Sequence, residues 1–435
     1  MINYQDKDIR SLLMQGGFGI EKESLRIHRD GSFSHSPHPF PDDRHIVRDF
    51  CENQLEINTG VSKSPARAVR ELAAHEEKAE KKLAGLCPEE ILWPFSNPPY
   101  IKDASDIPVA RFEGICHEKT LYRNYLSRMY GKYKMTFCGI HVNYSLGEDL
   151  LEWDFALSGE EDFEDYRNGI YLGLARNLME NGWIVNVLLS ASPLLDQSFL
   201  TRGKTGGTDF LGMASVRCSE LGYWNHFVPT FDYTSIRTYT DSIRAYIREG
   251  LLSSQTELYY PIRLKSRGEN SLDELDRTGV DHVEMRNIDL NPFAYGGLDS
   301  RDMEFLHLLF VYDACLEPEE VAREWQIKTV LNFKNAARFD IDGAFVMLRS
   351  REVVSVRTAA LNLLQRMQRF FEDLGMGRKE IFDYQLNKIL IPGNRYAERV
   401  RALFSENYVE EALRWMREKE ERVCYNGTAR SDEKR

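Results

Sequence analysis

Residues 18–26 read FGIEKESLR, and no other stretch constrains the fold as strongly. The stretch has the look of an extended segment. In a strand, alternate side chains share a face, so Glu21 and Glu23 point the same way and Lys22 the other. Like charges side by side on a strand face repel unless a cation sits between them. The flanking Phe18, Ile20 and Leu25 indicate burial on at least one side. Three further segments carry similar chemistry: DFCENQLEI (49–57), CGIHVNYSL (138–146) and DHVEMRNIDLNPF (281–293). They read as strands that each donate a carboxylate, imidazole or guanidinium to one pocket suited to divalent metals and a polyphosphate.

Composition narrows the class. A chain of 435 residues buries one large core or two domains, and 42% hydrophobic with 29% charged residues is ordinary for a soluble enzyme. A net charge of −12 argues against nucleic-acid or anionic-membrane partners. The seven cysteines are scattered and form no C-x-x-C, so reduced thiols in a cytoplasmic protein are the simple reading. No apolar run is long enough to span a bilayer, and the N-terminus, MINYQDKDIRSLLMQ, lacks a signal-like apolar region.

The organisation reads as α+β. RDGSFS (29–34) predicts a turn around Asp30-Gly31. Residues 64–86 predict a helix with Ser64 as cap, Pro65 in its first position and Gly85 at its end. LWPFSNPPYI (92–101) predicts a shaped loop, and 119–131 a helix stopped by Gly131. KYKMTFCGIHVNYSL reads as a strand, 164–190 as one long helix and 240–252 as another; beyond about residue 300 the pattern is almost all helical. The last dozen residues read as a loose tail.

Residue by residue, alternatives stay open. Glu21 and Glu23 also fit a solvated strand edge, and Glu52, Gln54 and Glu56 a polar strand face. A lone histidine such as His141, sharing a face with Asn143 and Ser145, is more often a hydrogen-bonded core residue than a ligand. His282, Glu284 and Arg286 share a face and also fit a structural Glu–Arg pair.

Taken jointly, FGIEKESLR, DFCENQLEI, LWPFSNPPYI, TLYRNYLSRMYG, GIHVNYSL, VRCSELGY, ELYYPIRLK and VEMRNIDLNPF resemble, in this order, the bacterial glutamate–cysteine ligases. The likeness runs over roughly residues 16–315 and is closest to the N-terminal module of fused bacterial glutathione synthetases. It implies a glutamine-synthetase-like fold, a curved antiparallel sheet forming a funnel with helices outside. A catalytic core is expected at 1–315, and the helical pattern that follows, where the likeness has ended, is expected to form a region at 316–435 packed on that core.

The resemblance further implies roles. Glu21, Glu23, Asp49, Glu56, His141 and Glu284 would bind Mg²⁺, with Mn²⁺ also suited to an imidazole ligand. Arg286, with Glu284 in the catalytic set, would contact the γ-phosphate of ATP. Phe50, Tyr122, Arg123, Asn143, Arg217, Tyr223 and Tyr259 would hold the amino-acid substrates. The implied reaction phosphorylates the γ-carboxylate of L-glutamate, and the amine of L-cysteine then displaces phosphate to give γ-glutamylcysteine. A monomer or weak homodimer is expected. Val142 replaces a tyrosine common in the family, and Ser190 a glycine. A γ-glutamyl ligase with another amine acceptor is the alternative reading, followed by a phosphohydrolase or a binding protein on the same fold.

Overall fold

The structure is a computed structural model that describes residues 1–435 apart from 205, 223, 320–321 and 433–435; of 422–432 it describes the backbone. The strands are β1 (Gly16–His28), β2 (Ile46–Arg48), β3 (Gln54–Asn58), β4 (Glu90–Leu92), β5 (Ile140–Leu146), β6 (Leu194–Asp196), β7 (Thr208–Phe210), β8 (Ile262–Lys265), β9 (His282–Ile288), β10 (Phe345–Met347) and β11 (Val353–Ser355). The main sheet has the order β2-β3-β1-β5-β9-β8, with β4 paired to the far end of β1, and its pairings are antiparallel. β6-β7 and β10-β11 form separate two-stranded sheets.

The helices are α1 (Lys7–Leu12), α2 (Pro65–Ala84), α3 (His117–Met129), α4 (Glu148–Ser158), α5 (Phe163–Asn181), α6 (Ile184–Leu189), α7 (Ile236–Arg248), α8 (Leu272–Thr278), α9 (Ser300–Cys315), α10 (Arg323–Ala336), α11 (Val356–Asp373), α12 (Lys379–Leu390), α13 (Tyr396–Leu403) and α14 (Tyr408–Asp432).

The alternation read in FGIEKESLR sets the layering. Lys22 points away from Glu21 and Glu23 and is buried in an ion pair with Glu76 of α2, Nζ to Oε2 2.5 Å. That contact and the buried stripe Ala68, Val69, Leu72, Ala79 and Leu83 seat α2 against the sheet. Pro65 occupies the first turn of α2 as its fixed φ favours, and Gly85 ends the helix. The turn at Asp30-Gly31 forms, with Gly31 at φ 86° and the His28 N–H bonded to the Ser32 carbonyl.

Several expectations are corrected. The long helix expected over 164–190 breaks at Gly182, where a Cβ would lie 2.5 Å from the Leu178 carbonyl oxygen, and the chain restarts as α6. Of KYKMTFCGIHVNYSL, residues 134–136 form a 3₁₀ turn and the strand is confined to β5. Glu52 lies in the turn before β3, where Arg48 and the His38 N–H hold it, so it does not share the face of Gln54 and Glu56. Of the tail expected to be loose, the part up to Asp432 continues α14, and 433–435 lie outside the described residues.

The region beyond residue 315 shares the main hydrophobic core, which runs from Ile2 to Leu413. A buried ion pair fastens it: Lys388 Nζ of α12 lies 2.5 Å from Asp302 Oδ1 of α9, whose other oxygen accepts from Tyr396.

Candidate active site

Cross-strand register builds the site. Glu23 of β1 stands opposite Glu56 of β3, and Glu21 opposite His141 of β5. Asn143 stands opposite Glu284 of β9, and Arg263 of β8 opposite the same Glu284. Directly opposed residues have side chains close enough to touch, so segments far apart in sequence meet on one sheet face. The β5-β9 register shifts between Ile140 and Val142, a bulge-like irregularity beside His141 of the kind that re-aims side chains.

The resulting cavity has a volume of about 230 Å³. Glu21, Glu23, Asp49, Glu56, His141, Glu284 and Arg286 line it, together with Phe50, Tyr122, Arg123 and Tyr259. Arg217 lies in an adjoining recess of about 50 Å³, which Tyr259 and Arg286 also line. Its guanidinium donates to the backbone carbonyls of Arg286 (2.9 Å) and Ile288 (3.4 Å). Glycine at 139 makes room for it, since a Cβ there would lie 2.2 Å from the Arg217 guanidinium. Asn143 reaches the site through Glu21, to which its Nδ2 donates at 2.9 Å. Arg123 donates to the Asp49 carbonyl (2.7 Å) and stacks over Phe112. Tyr223, expected in the substrate pocket, lies outside the described residues.

Two basic residues beside Glu284 are not among those expected from sequence. Lys265 lines the cavity with Nζ 3.6 Å from Glu284 Oε2, and Arg263 Nε lies equally near the same oxygen. The signal was present in ELYYPIRLK. Arg263 and Lys265 alternate on one strand face, as Glu284 and Arg286 do.

The electrostatics divide the carboxylates. Burial pushes Glu23 and Glu56 up to about 8, with nearby Asp49 adding to the effect. Glu284 is equally buried, yet Arg286, Lys265, Arg263 and His141 outweigh that and hold it well below the ordinary carboxylate range. For Glu21, too, burial opposes ionisation, but the His141 hydrogen bond tips the balance and the net shift is downward. Burial, then Arg286, lowers His141 to about 4, so the imidazole is neutral at pH 7.

A neutral imidazole among carboxylates suits a divalent cation. His141 Nδ1 lies 3.2 Å from Glu21 Oε2 and 3.8 Å from Glu284 Oε1, while Nε2 lies 3.8 Å from Glu23 Oε1. Ligand atoms of Glu21, His141 and Glu284 fall within 4.8 Å of one another. His141 Nε2 is buried without a hydrogen-bond partner, and a cation there would satisfy it. The residues therefore fit the metal expected from sequence. Cys51 and Cys218 are unfit as nucleophiles, since burial raises both thiols, Cys218 to about 11.

The chain as a whole is similar to known proteins. The family described as Glutamate-cysteine ligase matches residues 2–336. A bifunctional glutathione biosynthesis protein GshAB of Streptococcus thermophilus is 34% identical over 360 residues, 81% of this chain and 46% of that protein. Its counterpart in Listeria monocytogenes is 31% identical over 423 residues, 93% of this chain and 54% of the relative. The chain thus spans about half the length of the curated relatives it matches. Among solved structures, a bifunctional glutathione synthetase from Pasteurella multocida superposes with a TM-score of 0.79 at 27% identity, over 94% of this chain and 53% of that one. A glutamate–cysteine ligase from Francisella tularensis, solved with AMP, gives 0.80 at 22% identity, over 92% and 87%. The fold is the glutamine-synthetase-like α+β arrangement expected from sequence.

Proposed function

The chain belongs to the glutamate–cysteine ligase family, and from that premise we propose that it joins the γ-carboxylate of L-glutamate to the amine of L-cysteine at the expense of ATP, in the cytoplasm. The observation that carries this reading is the convergence of Glu21, Glu23, Asp49, Glu56, His141, Glu284 and Arg286 on one cavity.

Each group has a task in this proposal. The carboxylates and His141 hold Mg²⁺, or Mn²⁺, which when bound neutralises charge on the phosphates of ATP. Arg286 stabilises charge on the transferring γ-phosphoryl group, where an arginine of this kind contributes on the order of 10³–10⁵ in rate. Glu284 fixes Arg286, whose Nη1 lies 2.8 Å from Oε1. Transfer places the phosphoryl group on the glutamate γ-carboxylate and releases ADP. The cysteine amine then attacks the acyl carbon, the C–O bond to phosphate breaks, and the amine gives up its proton.

The substrate residues are assigned in the same way. Arg217 and Asn143 hold the glutamate end. Phe50, Tyr122, Tyr223 and Tyr259, with Arg123, form the acceptor pocket, where aromatic rings favour a thiol and a hydroxyl can bind the carboxylate. All of these lie within 1–315, to which catalysis is assigned; 316–435 supports it by packing on the same core.

The test is ADP release with ATP, glutamate and a panel of amines: cysteine, serine, alanine, 2-aminobutyrate and a bulky amine. Cysteine should give the highest kcat/KM. A bulky amine or ammonia in first place would overturn cysteine as acceptor but leave a γ-glutamyl ligase. ADP release indifferent to every amine would overturn the ligase.

A further inference from the structure

Outside the ligase cavity, at the corner where the chain enters β2 and passes the outer side of α2, two imidazoles and a carboxylate meet. Ligand atoms of His45, Glu71 and His75 lie within 4.8 Å of one another, and all three side chains are half-buried, open to an ion from solvent. Glu71 and His75 are four residues apart on α2 and so share one helix face. We propose that His45, Glu71 and His75 form a second cation site that takes a borderline divalent transition ion such as Zn²⁺.

The surrounding hydrogen bonds orient the ligands. The His45 Nδ1–H donates to the Asn58 carbonyl at 2.8 Å, which leaves Nε2 with its lone pair exposed. Arg44 Nε now donates to that lone pair at 3.1 Å from an exposed side chain free to swing aside. A backbone carbonyl on one ring nitrogen with the other presented outward is how protein ligands to zinc are oriented. Glu71 Oε1 accepts from the Gly60 N–H at 2.7 Å and lies 3.7 Å from His75 Nε2, so the carboxylate is held while Oε2 stays available. Burial, then His45, lowers the pKa of His75, which favours the neutral ligand form.

Donor type sets the ion. Two imidazoles and one carboxylate, with water completing a tetrahedron, are a zinc set; Mg²⁺ and Ca²⁺ prefer all-oxygen shells. The two rings stack with centroids 4.7 Å apart and planes 18° apart. An ion in the plane of one ring cannot lie in the plane of the other while they stack. Capture therefore requires His75, the ring on the helix, to turn, and that gives binding its own signature. The site is also distinct from the ligase cavity. His45 meets that cavity only at second hand, through Asn58, whose Nδ2 donates to Glu56 at 2.9 Å.

The test uses the full chain, stripped with chelator and held in saturating Mg²⁺ so that the oxygen-rich cavity is filled. Zn²⁺ is titrated calorimetrically, and Co²⁺ is followed by its visible absorption, which reports tetrahedral geometry. NMR of the histidine ring protons follows the unstacking. The expected result is a single Zn²⁺ equivalent, tetrahedral Co²⁺ bands without the intense near-ultraviolet band of a thiolate ligand, and shifted His45 and His75 resonances. His75→Asn should weaken Zn²⁺ binding by about 100-fold or more, beyond the 10–100-fold typical of losing an outer-shell partner. Glu71→Gln, which can keep the Gly60 contact, should weaken it as well, and both should keep the wild-type melting temperature and Mg²⁺-dependent ligation. Should His75→Asn fail to fold, Glu71→Gln decides. No Zn²⁺ uptake in excess Mg²⁺, thiolate-type Co²⁺ spectra, or unchanged affinity in a folded variant would overturn the site.

Discussion

Glu23→Gln should make the metal-free protein more stable while removing its activity. The Glu23 carboxyl is raised by burial, then by Asp49, from an ordinary 4.5 to about 8. Between those values the folded state holds a proton that the unfolded chain releases, so stability falls as pH rises through that window. From pH 4.5 to pH 7 this preference costs the folded state about 3 kcal/mol, at about 1.4 kcal/mol per pH unit. Glutamine copies the protonated shape and carries no such cost. Its amide oxygen can keep the 2.9 Å bond from the Gly139 N–H, and its NH₂ can reach toward His141 Nε2, now 3.8 Å from Oε1. For a chain of 435 residues, with an unfolding entropy of about 2 cal/mol/K per residue, about 3 kcal/mol corresponds to roughly 3–4 °C in Tm. The assay is thermal unfolding of both proteins at pH 7, with chelator and with Mg²⁺, beside ADP release. Mg²⁺ at about 100 times its Kd should stabilise the wild type by about 2.7 kcal/mol. The variant should gain much less and turn over poorly. A variant that melts below the wild type in chelator, or gains equally from Mg²⁺, would refute the reasoning from burial.

Three further outcomes follow from single contacts. Arg286→Lys should lower kcat far more than it raises KM for cysteine, because a lysine cannot offer the planar fork; a pure rise in cysteine KM would place Arg286 in the acceptor pocket instead. Gly139→Ala should push Arg217 from beneath the sheet, where a Cβ would come within 2.2 Å of its guanidinium. It should cost at least tenfold in kcat/KM for glutamate and about 1–3 kcal/mol in stability, and wild-type kinetics would contradict the placement of Arg217. Lys388→Met should leave Asp302 buried without its cation and cost about 3–5 kcal/mol by chemical denaturation; a loss below about 1 kcal/mol would show that the C-terminal helices do not depend on that pair.

Much of the site was legible because strand periodicity is a local property. FGIEKESLR put Glu21 and Glu23 on one face and Lys22 on the other, and the structure separates them so. What periodicity cannot supply is register. That Glu21 stands opposite His141 depends on pairing across 120 residues, and the partner of Lys22, Glu76, lies 54 residues away on a helix. Arg263 and Lys265 were visible as an alternating basic pair, but only their pairing with β9 shows that they converge on Glu284. The break at Gly182 was missed because the apolar pattern continues through it, while the close approach to the Leu178 carbonyl is a three-dimensional fact. Glu52 was misplaced because β3 begins two residues after it.

The pattern of shifts gives the cavity two unlike ends. Toward β8 and β9, Arg263, Lys265 and Arg286 crowd Glu284 and hold it ionised. Toward β3, Glu23 and Glu56 lie near Asp49 and are held protonated, each raised to about 8. A polyphosphate lying across such a cavity would meet cations at the first end, and carboxylates that need cations of their own at the second. Divalent ions arriving there must displace protons. Mg²⁺ binding at pH 7 should therefore release protons, and calorimetric enthalpies measured in two buffers of different ionisation heat should differ. In Glu23→Gln the difference should shrink, since one displaced proton is gone. Equal enthalpies in both buffers would mean that these carboxylates are already ionised before the metal arrives, and the division of the cavity would fall with them.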